Sequence, residues 1–311
     1  MAISEQSSFA FWQVKAFAIF TVFFAHMPGH AYDGSSVIWQ EVFDVIGMLG
    51  VPLFFMISGY FDKISHSPII LRLKNLLIPL LIWGSITFFL HVLKTPSSNM
   101  CLDYFYWIYG CNNYLYFVPV LIWCIVLSRL CNEWILVGLG LLSQILSFCN
   151  IIPYNQVFTQ YVNPLNFIIY FAVGRLIREF FDIERTNPQC VVISALVVIL
   201  FLSFPDLKPR YCSPFTILFT TSLFYLSYCF FFQIEIPLMA QLGKFSYVLY
   251  LSHIQIAGFV HFSLQSIWGT WIEPIKVFIA FIISIGLCYG LQWILIYTRM
   301  NKLLGYLGFK S

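Results

Sequence analysis

Apolar runs of helical length alternate with short polar breaks along the whole chain. The runs cover roughly Phe9–Met27, Val42–Phe61, Leu76–Leu93, Tyr114–Leu130, Trp134–Ile152, Leu165–Phe180, Val191–Phe204, Phe215–Phe232, Phe245–Phe262 and Ile275–Tyr297. A helix needs about 20 apolar residues to cross the hydrocarbon core of a bilayer, and most of these runs approach that length. The pattern predicts an all-α polytopic membrane protein of about ten transmembrane helices, organised as one domain over residues 1–311. The connections, such as Lys94–Asn113 and Pro205–Pro214, are too short for a soluble domain, so chemistry must come from the spans and their ends. No small-residue cleavage site follows the first run, which therefore reads as an uncleaved helix.

Positive charge sets the expected orientation. With the N-terminus in the cytoplasm, Lys15, Lys63, Arg72, Lys74, Arg129, Arg175, Arg178, Arg185, Lys244, Arg299, Lys302 and Lys310 fall at the inner face, twelve of the 16 cations. Lys94, Lys208, Arg210 and Lys276 fall outside. Both termini are then expected in the cytoplasm.

Composition agrees with the pattern. The chain is 60% hydrophobic and 9% charged, with mean hydropathy +0.84, where soluble domains carry about 25% charged residues. Aromatic residues make up 20% and suit lipid-facing and interfacial positions. The net charge of +3 comes with no large basic patch, which argues against a nucleic-acid partner. Nine cysteines contain no CxxC pair and no metal-ligand spacing, so no metal is expected. Cys101 and Cys111 share one connection and could pair if it faces an oxidising compartment.

Against this background the polar residues inside apolar runs stand out, because an ionisable group in a span is costly and is a functional suspect by default. Lys15 and His26 lie on one face of the first run, about three turns and roughly 16 Å apart along the axis. The plain alternative is that Lys15 snorkels to the interface and His26 caps the outer end. Asp33, Glu41 or Asp44 could orient His26 as an acid–base group.

Within the second run, the stretch Gly47–Tyr60 holds Gly47, Gly50, Pro52, Ser58 and Gly59, a composition for close backbone approach. Arg72 and Lys74 precede Pro79 and can grip phosphates, or simply anchor the inner end of the helix. Asn112, Asn113, Tyr114 and Tyr116 open the fourth run with groups that could hold a sugar or form an aromatic belt. The ninth run is unusually polar, with Ser246, Tyr247, Tyr250, Ser252, His253 and Gln255. His253 falls near mid-membrane, where a lone histidine is more often a hydrogen-bonded core group than a catalyst.

Four stretches together carry a family resemblance. They are Lys15, ten intervening residues and His26; Gly50–Tyr60 with its GVPLFFMISGY sequence; Arg72 and Lys74 before Pro79; and Ser246–His253 with its SYVLYLSH sequence. The chain resembles the integral-membrane acyltransferases called acyltransferase family three, which acylate surface glycans and related acceptors. It departs from that pattern at Lys15, where arginine is usual, at Pro52, where a polar residue is common, and at Trp12, where an acid is usual. Lys15 keeps the charge and loses the bidentate fork of arginine.

The resemblance implies transfer of an acyl group, most simply acetyl, from cytoplasmic acyl-CoA to a hydroxyl. The acceptor it implies is a surface polysaccharide such as O-antigen, or its lipid-linked precursor. It places the chain among membrane lipids in a bacterial inner membrane. Lys15, Ser58, Arg72 and Lys74 become candidate contacts to the acetyl-CoA donor, and His26 and His253 candidate catalytic groups. The competing class is a lipid-linked glycan transporter or flippase. A transporter should show repeat-related broken helices or acids at mid-membrane, and the sequence has no such repeat and almost no acid within a span. A glycan polymerase should show a large basic outer loop, and none is present.

Overall fold

The computed structural model describes residues 4–26, 45–64, 68–95, 99–111, 113–155, 157–203, 213–264 and 273–309. Within them the fold is all-α, with no strand. Each of the ten apolar runs overlaps a helix among the described residues. They are α1 (Glu5–His26), α2 (Gly50–Ile64) and α3 (Ile69–Lys94), then α5 (Phe117–Leu130), α6 (Glu133–Phe148) and α7 (Pro164–Phe180). The rest are α8 (Pro188–Ser203), α9 (Pro214–Gln233), α10 (Pro237–Leu264) and α11 (Glu273–Tyr297). Two short helices, α4 (Met100–Tyr109) and α12 (Asn301–Leu307), complete the set.

By length and apolarity, five helices among the described residues could cross a membrane, and a sixth span forms if α4 and the Tyr114–Leu130 helix are taken together. Two more apolar helices, α6 and α8, are shorter than a full span.

The α4 helix corrects the expectation that Lys94–Asn113 is a plain connection. Asn99 caps its first turn by accepting from the Leu102 N–H, and Gly110 ends it at φ 84°, a left-handed conformation that glycine adopts without strain. Asn113 then accepts from the Leu115 N–H at 2.8 Å and starts the turn Tyr114–Tyr116 that leads into α5. The chain bends by 57° between α4 and the Tyr114–Leu130 helix.

The bundle is organised around α1, α2, α7 and α10. The α1 helix packs mainly on α10 and also meets α2 and α9, while α2 packs on α7 and α7 on α6. Glycine permits these contacts. A side chain at Gly59 would run into the Phe171 backbone, and one at Gly174 into the Met56 backbone, so α2 and α7 touch backbone to backbone at two levels. A side chain at Gly243 would collide with the Trp12 carbonyl in the same way between α10 and α1. In lipid, where burial of apolar surface from water gives no drive between helices, such close van der Waals packing is a main source of association.

Phe11, Phe23, Phe55, Tyr60, Phe167 and Phe171 fill the centre and are fully buried. The peripheral helices α3, α8 and α11 instead expose large apolar side chains such as Phe89, Leu196 and Ile282, as a lipid-facing rim requires.

Candidate active site

Two polar regions lie at different levels of this bundle, and α1 and α2 connect them. Lys15 marks the first level. Its ammonium sits 4.3 Å from the centre of the Trp12 ring and 5.0 Å from that of Phe61 on α2, a cation–π arrangement. Next to Phe61 is Asp62, whose side chain is 0% exposed. The Asp62 carboxylate accepts from Arg72 at the start of α3 and from Arg175 on α7. It also accepts from Arg129 at the end of α5 at 3.3 Å and from the Ser128 hydroxyl at 3.3 Å.

Glu133, the first residue of α6, accepts from Arg175 at 2.8 Å and from Lys63 at 2.8 Å. Lys63 also pairs with Glu179 at 2.8 Å. Arg178 donates to the Tyr60 hydroxyl at 3.0 Å and lies over its ring. Burying a carboxylate is costly unless its oxygens are fully bonded and its charge is matched. Asp62 meets that requirement with four donors.

The structure divides the candidate donor contacts. Arg72 turns into the Asp62 cluster, and Ser58 lies half-buried one helical turn before Asp62. Lys74 is exposed. Residues two apart on a helix point in nearly opposite directions, so Arg72 and Lys74 do not act as a pair. The sequence reading did not single out Asp62, Glu133 or the pairing of Arg129 and Arg175. The signal was an acid in the last turn of an apolar helix, at the membrane end where the cations gather.

About 11 residues further along α1, roughly 16 Å by helical rise, lies the second level. The His26 and His253 rings meet edge to face with centroids 4.7 Å apart. They come from α1 and α10, the most extensively packed helix pair. His26 Nδ1 is 2.9 Å from the Val22 carbonyl, and His253 Nδ1 contacts the Tyr250 carbonyl. A carbonyl only accepts, so each neutral ring carries its proton on Nδ1 and keeps its lone pair on Nε2. His26 is half-buried, and His253 is fully buried. Nε2 of His253 has no hydrogen-bond partner among the described residues. An unbonded buried nitrogen is uncommon and calls for a functional or structural reason.

Aromatic and amide groups hold this level in place. The Tyr114 hydroxyl donates to the Leu251 carbonyl at 3.1 Å and accepts from Gln255 Nε2 at 2.7 Å. The Tyr250 hydroxyl donates to the Tyr114 carbonyl. The rings of Tyr114 and Phe23 flank His253, with centroids at 5.0 and 5.6 Å. Tyr114 therefore fixes α10 rather than forming an aromatic belt. Tyr247 likewise ties α10 to α3 through the Leu76 carbonyl at 2.6 Å, and Ser252 bonds back to Val248 at 2.9 Å. Asn113 serves the turn, donating to the Trp107 carbonyl at 2.9 Å. Asn112, Asp33, Glu41 and Asp44 lie outside the described residues. Cys101 and Cys111 are free thiols, the first exposed and the second buried.

Long apolar helices with lipid-suited outer faces around two buried polar levels fit a multi-pass membrane protein. The sequence matches the acyltransferase domain of acyltransferase family 3 over residues 11–293. The chain belongs to acyltransferase family 3 and is a membrane acyltransferase. No curated protein and no solved structure matches it.

Proposed function

We propose that this acyltransferase moves an acetyl group from cytoplasmic acetyl-CoA to a hydroxyl of a surface polysaccharide, such as O-antigen, or of its lipid-linked precursor. It works in a bacterial inner membrane with both termini in the cytoplasm. The observation that carries this reading is the meeting of the His26 and His253 rings, where Nε2 of buried His253 has no hydrogen-bond partner among the described residues. A sugar hydroxyl is a weak nucleophile and needs a base as it attacks. His26, the less buried ring, takes the hydroxyl proton on Nε2. The hydroxyl oxygen attacks the thioester carbonyl carbon, the C–S bond breaks, and the CoA thiolate leaves and recovers the proton. His253 stands beside His26 as a second basic nitrogen.

The level of Lys15, Ser58, Arg72 and Lys74 supplies the cations that a CoA molecule's phosphates require. Lys63, Arg72, Arg129 and Arg175 gather at that one end, which supports a cytoplasmic placement by the positive-inside rule.

Deleting the gene tests the reading against a lipid-linked glycan flippase. An acyltransferase leaves the glycan on the cell surface without its acetyl groups, seen as loss of the acetyl signal by NMR of the purified polysaccharide. Loss of the surface glycan itself would favour the flippase.

A further inference from the structure

We infer that Asp62 is a positioning residue that gathers Arg72, Arg129 and Arg175 into one phosphate-binding face, with Arg129 and Arg72 as the contacting groups. The inference rests on the donor reading above and assigns residues to it.

The charges around Asp62 do not balance. Three guanidiniums from α3, α5 and α7 converge on a single carboxylate. Left alone, three like charges at this separation repel one another. Asp62 holds them together by giving Oδ1 to Arg72 and Arg129 and Oδ2 to Arg175 and Ser128. Arg175 is matched a second time by Glu133. Arg72 and Arg129 have no second acid among the described residues. Each arginine carries five N–H donors, so both keep several donors beyond those that Asp62 uses.

Exposure shows which way those donors face. The Asp62 side chain is 0% exposed, those of Arg175 and Arg72 are 10% and 18%, and that of Arg129 is 40%. Positive charge therefore faces outward while its neutralising acid lies behind it. An arriving anion meets guanidinium first and has no access to displace Asp62. Planar, multi-donor guanidiniums fixed in place suit the tetrahedral oxygens of a phosphate.

Two sources share that chemistry: the phosphates of the acyl donor and the phosphate of an anionic lipid headgroup. The separation of roles is specific. Arg129 should act on donor affinity, and Asp62 should act on it through the arginines, with neither belonging to the histidine level where His26 sits.

The test uses the full chain in nanodiscs of neutral phosphatidylcholine, and in parallel discs containing phosphatidylglycerol. Acetyl-CoA binding, KM and kcat are measured for wild type, Arg129→Ala, Asp62→Asn and Asp62→Glu. A charge-assisted contact removed from a phosphate site should raise KM and Kd for acetyl-CoA about tenfold in Arg129→Ala, with a smaller change in kcat. Asp62→Asn should raise them further, and Asp62→Glu, which keeps the charge, should recover most of the loss. Arg129 is the most exposed member, so its variant folds even if Asp62→Asn does not. Unchanged acetyl-CoA affinity with loss of co-purifying phosphatidylglycerol in Arg129→Ala also supports a phosphate face, with lipid as its occupant. Unchanged affinity for both in Arg129→Ala overturns the inference. A wild-type protein that binds no acetyl-CoA at all would overturn the proposed function instead, and the lipid arm would still test the face.

Discussion

At the Asp62 level, seven charged side chains from five helices, four cations and three acids, form one ion-paired network. At the histidine level, two imidazoles meet and one buried nitrogen has no hydrogen-bond partner among the described residues. The acids of the first region are fully bonded and tie together α2, α3, α5, α6 and α7, with spare donors on Arg72 and Arg129. The second is held by bonds around it, from Tyr114, Tyr250 and Gln255, while its own basic nitrogen is left over. Groups that fix a fold are fully bonded, and groups that act on a ligand keep capacity in reserve. By that contrast the charged level is mainly architecture with one outward-facing edge, and the histidine level is the proposed place of the chemistry.

The largest effect expected from this contrast is loss of the base. Removal of a general base typically costs about 10²–10⁴ in rate. His26→Ala should lose acetyl transfer by that factor while the purified protein still binds acetyl-CoA. His253→Ala, measured beside it, should lose a smaller factor. An active His26→Ala next to a folded but inactive His253→Ala would move the base to α10 and break the assignment.

Arg175→Ala comes next and should act on stability. It strips a donor from buried Asp62 and from Glu133 at once. Asp62 keeps Arg72, Arg129 and Ser128, and Glu133 keeps Lys63, so the loss falls below the roughly 3–5 kcal/mol of a fully orphaned buried charge but stays measurable. The expected outcome is a measurable drop in the thermal unfolding midpoint in detergent. A midpoint near that of the wild type would show that the charged level is not architecture.

Gly174→Val probes the packing that holds the two levels in register. The new side chain would meet the Met56 backbone across α2 and α7, where nothing flexible can give way. Overpacking of this kind costs about 1–3 kcal/mol. Thermal unfolding again reads the effect, and Gly258→Val is the control, since a Cβ there meets nothing within 4 Å.

The parts of this architecture differ in how far the sequence foretells them. Each apolar run is a local property, and each overlaps a helix; the eighth run, Phe215–Phe232, is the helix Pro214–Gln233, whereas the helices of the third and ninth runs begin seven and eight residues before them, at Ile69 and Pro237. The α4 helix escaped because its ten residues sit between polar connections and are too short to read as a span. The glycines of α2 announced close packing, but not that Gly59 and Gly174 would face each other's backbones. Lys15 and His26 were legible through their spacing on one helix.

The meeting of His26 with His253 was not legible, because only the docking of α1 on α10 creates it. The Asp62 cluster hid for the same reason. The cations of that level can be collected from charge bias alone, whereas their shared acid becomes evident only once four helix ends converge.

The smallest expected effect separates two residues that the sequence treats as equals. Arg72 and Lys74 both stand before Pro79, and the sequence offers both as equal candidates for a donor phosphate. Helical geometry parts them by about 200°, and the structure turns Arg72 into the Asp62 cluster while Lys74 stays exposed. A flexible, solvated ammonium contributes at most about 1 kcal/mol to an ion pair, screened further by salt. Lys74→Ala should therefore raise the KM for acetyl-CoA no more than about fivefold, and the change should vanish as salt is raised. Arg72→Ala should raise it more and should keep its effect in high salt, because a partly buried pair is poorly screened. Equal effects with equal salt dependence would mean that the donor's phosphates reach the exposed side of α3, and the boundary between architecture and binding edge at the charged level would have to be redrawn.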